Sequence, residues 1–283
     1  MKAKILIPFL VLALASMACG FNFELPRAQK PGPEVTDQIV VSIPDADETR
    51  LKLSFGAGDI TLAPGAEKDL VEGTATYNYE QLKPVITSTD GDVEIKMGEM
   101  EFNGLPVFDE LKNEWDLKLS DEPMALSIDA GAYNGTYELG GLSLTSLTVT
   151  DGAASVEMSF SELNQSEMSI FKYETGASNL KLSGLANANF STFDFSSGAG
   201  DYTLDFSGEL QRDASITIDT GLSNIILVIP EGVNAVIKVD SGASNINAGP
   251  GWDQNGDTYT QEGDGPTLTF VVSIGAGNLT ISH

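Results

Sequence analysis

The sequence lacks most of what catalysis by side chains draws on. Of its 283 residues, one is cysteine and one is histidine. With Cys19 alone, no disulfide can close within the chain. With His283 alone, at the last position where it reads as an unstructured end, a histidine-dependent triad or a multi-histidine metal centre is excluded. Basic residues are scarce too: 15 Lys and Arg stand against 41 Asp and Glu, a formal net charge of −26. Binding a phosphate backbone needs a basic face, so this balance excludes nucleic acid as a partner and argues against electrostatic docking on anionic lipid. No glycine-rich loop leads into a helix, so the usual phosphate cradle is missing. Carboxylate pairs of the glycosidase kind can be drawn in many ways among 41 acids and single out none. A non-enzymatic protein without an obligatory cofactor is expected. At 41% apolar residues the chain is still no disordered acidic tail.

What the sequence has in place of chemistry is a repeat. Similar text surrounds Gly56, Gly131, Gly152, Gly176, Gly198, Gly221, Gly242 and Gly275. Five residues before each glycine stand Leu51, Leu126, Leu147, Phe171, Phe193, Ile216, Ile237 and Phe270, and the residue three before is also apolar or tyrosine. Four after, seven of the eight copies are apolar, Gly135 being the exception; six after come Leu62, Tyr137, Met158, Leu182, Leu204, Leu227, Ala248 and Ile281. Apolar positions two apart on both sides of a turn are the period of strands that bury one face. Three residues after each glycine stands Asp, Asn or Ser, a side chain suited to capping a corner. Glycine itself reaches positive φ cheaply, and the corner is expected to use that freedom.

From Gly131 to Gly242 the spacings are 21, 24, 22, 23 and 21 residues. Near-constant spacing suits one coil per repeat: a single-stranded, right-handed β-solenoid with coils of about 21–24 residues, stabilised as a sum over neighbours. An antiparallel β-sandwich is the alternative. In a solenoid, the Asn and Asp corners would form a ladder. The last spacing, 33, places an insertion between Pro250 and Pro266, and a bare, uncapped final coil ending at Ile281 would favour end-to-end partnering.

The N-terminus carries an address. A short basic start precedes an apolar run from Ile5 to Ala18, the length of a secretory signal core and too short for a comfortable membrane span. Ser16-Met17-Ala18-Cys19 resembles a bacterial lipobox, in which the cysteine is lipidated, although leucine usually stands where Ser16 is. The chain divides into a signal peptide over 1–18, a flexible tether over 19–41, an N-terminal β region over 42–125 and the regular solenoid over 126–283. The two β regions are expected to share one core. Asp90-Gly91-Asp92 signals a hairpin, and 100–116 reads as a loop or short helix.

One resemblance is specific to fold. Leu53-Ser54-Phe55-Gly56-Ala57-Gly58-Asp59-Ile60-Thr61-Leu62, followed by Leu70-Val71-Glu72-Gly73-Thr74-Ala75-Thr76-Tyr77, resembles the N-terminal part of the bacterial toast-rack family, which is related to the extracytoplasmic domains of LiaF-type envelope-stress proteins. The later Gly-Ala-Ser-Asn units are similar to the same family and to the “putative adhesin” β-solenoid domains. The resemblance implies a structural module with no catalytic residues to carry over. It also implies either a surface adhesin or an accessory to envelope-stress sensing.

A single stretch has the alternation of a calcium loop: Asp253, Asn255 and Asp257, with Gln261 and Asp264 beyond. It lacks the expected glycine at Thr258, has Asp264 where a bidentate Glu usually closes the site, and reads first as a polar hairpin turning at Asn255-Gly256. Trp252 is expected to pack over the end of the stack. The whole reads as a lipid-anchored surface protein. Its expected partners are the membrane through Cys19, and cell-wall or surface glycan or another solenoid protein; a polysaccharide-active enzyme is the least supported reading.

Overall fold

A computed structural model describes residues 30–98 and 110–283. The apolar N-terminal run, Cys19 and the first part of the expected tether lie outside the described residues. Fifteen strands follow in order: β1 (Val35–Val41), β2 (Thr49–Pro64), β3 (Val71–Tyr77), β4 (Val85–Thr89), β5 (Asp92–Lys96), β6 (Asn113–Leu119), β7 (Met124–Glu138), β8 (Leu144–Ser159), β9 (Phe171–Ser183), β10 (Thr192–Asp205), β11 (Ala214–Val228), β12 (Asn234–Ala248), β13 (Asp253–Asn255), β14 (Thr258–Gln261) and β15 (Thr267–Ser282). They form one open sheet.

Eight of these strands carry the repeat glycine at mid-length, and each bends there. In β9 the buried residues are Phe171, Tyr173 and Thr175 before the glycine, then Ser178, Leu180 and Leu182 after it. A strand alternates faces with period two. Gly176 and Ala177 both face out, so the alternation slips by one residue and the two arms turn the same inner face around the corner. Each arm pairs in parallel with its equivalent in the neighbouring coil. Leu182, Leu204 and Leu227 lie in successive register and are fully buried. Parallel ladders of equivalent residues define a solenoid and rule out the antiparallel sandwich. Inside, the columns fill with large side chains, Phe171 stacking on Phe193 at 4.6 Å between ring centroids. Leu139, Phe160, Leu185, Phe206 and Ile229, on the segments that return from one coil to the next, are buried in the same core.

The two β regions are continuous, as Leu51 pairs with Leu126 and Leu53 with Ile128. At this end both arms of β2 are covered: the first by β5, which pairs with β4, and the second by β6, followed by β3 and β1. The expected tether is therefore too long at its C-terminal side, because Val35–Val41 is a strand with Ile39 and Val41 buried. Likewise the stretch expected to be a loop or helix before 116 already contains the start of β6. Asp90 and Gly91 turn the β4–β5 hairpin with φ of 49° and 85°, both positive as a type I′ turn requires.

The far end departs from the expected order. The last coil does not stack outermost: the sheet runs β11, β15, β12, then β14 and β13. Ile281 pairs with Leu227 on one side and Ala248 on the other, so it is an interior position and not a bare end. The outward row two residues before each glycine gives a physical reason. Across the stack it reads Ser54, Asp129, Thr150, Glu174, Ser196, Asp219, Ser273, Asp240. Every acid has hydroxyls for neighbours. Stacking β12 directly on β11 would set Asp219 against Asp240, and like charges side by side in a sheet destabilise it. Ser273 separates them.

Candidate functional site

The corner is the feature every coil shares, and its chemistry is steric. None of the eight repeat glycines has positive φ, contrary to the expectation from their turn position. Positive φ falls two residues later, and only at Gly58 (126°), Gly200 (154°) and Gly277 (134°). A phase slip between extended arms needs no left-handed residue at the first position. What that position cannot hold is a Cβ. One built on Gly176, Gly198, Gly221 or Gly242 would lie 2.5 Å from the carbonyl oxygen of the repeat glycine in the adjoining coil; on Gly152 the distance is 3.0 Å. Gly135, the exception in the apolar column, leaves room for two rings: a Cβ there would lie 2.9 Å from atoms of both Tyr133 and Tyr137.

Outside the corner the expected ladder forms in part. Asn134 donates to Asp59 (2.8 Å), Asn224 to Asp201 (2.7 Å), and Asn278 to Asn224 (2.7 Å), each from Nδ2 to Oδ1.

Inside the corner lies a cluster that the sequence reading missed. Asp151, directly before Gly152, points inward and is 6% exposed. Its Oδ2 accepts from the hydroxyls of Tyr173 (2.8 Å) and Tyr133 (3.3 Å); its Oδ1 accepts from Thr175 and from Ser178 (3.3 Å). Its partners are hydroxyls, not cations. Burial, followed by the neighbouring phenol and carboxylate, pushes the Tyr133 phenol far above its usual range, and burial with Asp151 does the same to Tyr173. Both phenols thus stay protonated and serve as donors. Farther along, the hydroxyls of Ser197 and Thr220 in the column of Asp151, and of Ser223 in the column of Ser178, are buried without a hydrogen-bond partner among the described residues. The signal is legible in parity: the residue one before the glycine has the same inward phase as those three and five before. The cluster can hold a carboxylate in a core, and it is too deep to meet a substrate.

The insertion between Pro250 and Pro266 is the β13–β14 hairpin. Asp253 and Asn255 are exposed on β13, and Asp257 follows Gly256 (φ 65°) in the turn. Gln254, between them, donates to the Gly256 carbonyl and the Tyr259 hydroxyl, both at 3.1 Å. No group of three or more His, Cys, Asp or Glu is placed to hold a metal among the described residues. His283 is not an unstructured end. Its ring lies 6.0 Å from and nearly parallel to that of half-buried Trp252, and its nitrogens face the carbonyls of Ile229 (3.1 Å) and Pro250 (2.6 Å).

The outer surface carries little to stack a ligand on. Apart from half-buried Trp252, every phenylalanine, tyrosine and tryptophan among the described residues is buried. The first arms present the acid–hydroxyl row, with Lys52 paired to Asp129 at 2.7 Å and Lys172 to Glu174 at 3.0 Å. No helix among the described residues is long and apolar enough to cross a membrane.

Comparison with known proteins agrees with this geometry. Residues 30–182 match the family Toast_rack_N, described as the N-terminal domain of toast_rack, DUF2154. No curated protein is detectably similar in sequence. Among solved structures, the chain is similar to a “putative cell adhesion protein” from Clostridium sporogenes, at 19% identity and a TM-score of 0.51 over 88% of this chain and 99% of that one. It is also similar to a “putative lipid binding protein” from Parabacteroides distasonis, at 11% identity and 0.41 over 89% and 99%. A “putative adhesin” from Parabacteroides merdae follows at 12% identity and 0.38 over 89% and 98%.

Proposed function

The chain belongs to the toast-rack family by its match over residues 30–182, and from that membership and the geometry we propose that it is a non-enzymatic, lipid-anchored surface module that binds an envelope or surface component. The observation that carries this reading is where the polar groups lie. The hydroxyl-rich cluster around Asp151 is sealed in the core, whereas the outer face of the first arms bears acids and hydroxyls in a regular row across eight coils. At about 4.8 Å per coil, that row is roughly 34 Å long. A rigid ruled face suits adhesion to a repeating partner such as cell-wall or surface glycan. With the aromatics buried, such a glycan is held by hydrogen bonds to carboxylates and hydroxyls. Anchoring at Cys19 places the face outside the cell membrane. The similar protein from Clostridium sporogenes is described as a “putative cell adhesion protein”, in keeping with the same reading.

The test is binding of the chain to isolated cell-wall polysaccharide, compared with the triple variant Asp129→Asn, Glu174→Gln, Asp219→Asn. Binding that falls with the triple variant supports the adhesive face, and equal binding by both refutes it. The resemblance of Leu53–Leu62 to the LiaF-related family supports a second reading, an accessory in envelope-stress sensing that pairs with another solenoid protein. Recovery of one protein partner from solubilised membranes, with no glycan, distinguishes it.

A further inference from the structure

We infer that the second arm of β12 is a homodimerisation edge, on which a second copy of this chain pairs antiparallel about a two-fold axis at Ile246. The inference stands apart from the adhesive reading. It starts from how the two ends of the stack are finished. At the β2 end both arms have partners, but at the other end only the first arm of β12 does, where β14 pairs with Ala235–Lys238. From Ser241 to Ala248 the outer side of β12 has no strand beside it among the described residues. Unpaired N–H and C=O groups along a strand invite another strand, and proteins usually guard them with charge, proline or shortness.

The other open edges are guarded in those ways. Strand β1 carries Asp37; β4 is five residues long between Pro84 and Asp90; β13 is three residues long and begins at Asp253. Ser241–Gly249 contains neither a charge nor a proline, in a chain of net charge −26. Its inward side is also unfinished. Ile246 is half-buried, whereas Ile225 and Leu279 in the same column are 1% and 0% exposed.

The occupant follows from matching. General repulsion between two such acidic molecules is weakest where both contribute uncharged surface. Of the eight corner strands, β12 alone offers an uncovered arm, so the matching edge on a second copy is the same one. Antiparallel pairing centred on Ile246 sets Ile246 against itself on the core side. It sets Asn245 opposite Asn247 of the other copy on the outer side, twice by symmetry, and Ser244 opposite Ala248. Self-complementarity of this kind is what a two-fold interface requires. No charged side chain is opposed to another.

The experiment is sedimentation velocity of the full-length chain in mild detergent, across concentration, with two variants of exposed residues that leave the core untouched. Wild type is expected to dimerise. Asn245→Asp with Asn247→Asp places like charges opposite each other at two points and should weaken dimerisation about ten-fold. Asn245→Asp with Asn247→Lys places opposite charges there and should restore it. Unchanged thermal unfolding of both variants confirms that the fold is retained. A wild-type chain that stays monomeric at every concentration, or a dimer indifferent to both variants, overturns the proposal.

Discussion

Asn278 donates from its Nδ2 to the Oδ1 of Asn224 across 2.7 Å, although 54 residues of chain separate them. That rung exists because β15 sits between β11 and β12. The interior place of β15 makes unequal demands on equivalent side chains. Ile281→Ala empties a fully buried position and should cost about 2–5 kcal/mol, whereas Ile246→Ala, half-buried on the edge strand, should cost about 1 kcal/mol when measured at concentrations where the chain is monomeric. Urea denaturation of the two variants checks this, and equal losses would contradict the strand order.

The acid–hydroxyl alternation makes a second expectation, one that depends on salt. Ser273→Asp puts a third carboxylate between Asp219 and Asp240. Destabilisation of about 0.5–1 kcal/mol is expected at low ionic strength, shrinking in 1 M salt as the Debye length falls to about 3 Å. A loss that persists unchanged in salt would show that charge is not its cause.

The glycine column is expected to rank by distance. Gly198→Ala forces a Cβ to 2.5 Å from the Gly176 carbonyl oxygen and should cost about 2–3 kcal/mol by overpacking. Gly152→Ala, at 3.0 Å, should cost about 1 kcal/mol. Since neither position has positive φ, the D-enantiomer of alanine should bring no relief of backbone strain at either. Chemical synthesis or ligation of that single residue, followed by thermal melts, separates steric from torsional cost.

Removing the buried carboxylate strands its donors. Asp151→Ala leaves the hydroxyls of Tyr133, Tyr173 and Thr175 without their acceptor and should cost about 3–5 kcal/mol. Asp151→Asn keeps one acceptor oxygen and should cost less. Denaturant midpoints give both values, and an Asp151→Ala protein as stable as wild type would show that the cluster is not holding the corner.

Alkali should unfold the protein through its tyrosines. Tyr77 is pushed up to about 12 by burial and by its hydrogen bond to Asp37. Tyr133, Tyr137, Tyr173 and Tyr202 are likewise raised, in each case chiefly by burial. An unfolded phenol releases its proton near pH 10, so above that the unfolded state binds fewer protons and stability falls as pH rises. The contribution of Tyr77 is complete below about pH 10 and lost towards about 12. Ultraviolet titration should show these five tyrosines ionising late and together with loss of structure. Early ionisation of these five with the fold intact would contradict their burial.

Much of this is readable in the chain because strand periodicity survives stacking. The columns three and five before each glycine, and four and six after, are the core columns, and Asp90-Gly91 turns its hairpin as expected. The order of the last coils is not readable. Corners at Gly221, Gly242 and Gly275 carry the same local text, so register is specified locally while order depends on the crossover through Glu262–Pro266 and on charges such as Asp219 and Asp240. Val35–Val41 is hidden by the proline-rich segment before it, since its pairing with β3 is a distant contact. Asp151 resembles one more corner acid, although its inward parity distinguishes it. The glycines invite a torsional reading when their role is spatial, which needs a neighbouring coil to be seen.

The intercalated β15 also constrains the sequence of assembly. A rack that winds from one end could settle layer by layer as the polypeptide is synthesised. Here β12 is made earlier yet must lie farther out, with β15 slotted beneath it. Winding can therefore proceed vectorially only as far as β11; the final layers have to close as a unit, once the whole β12–β15 segment has been delivered.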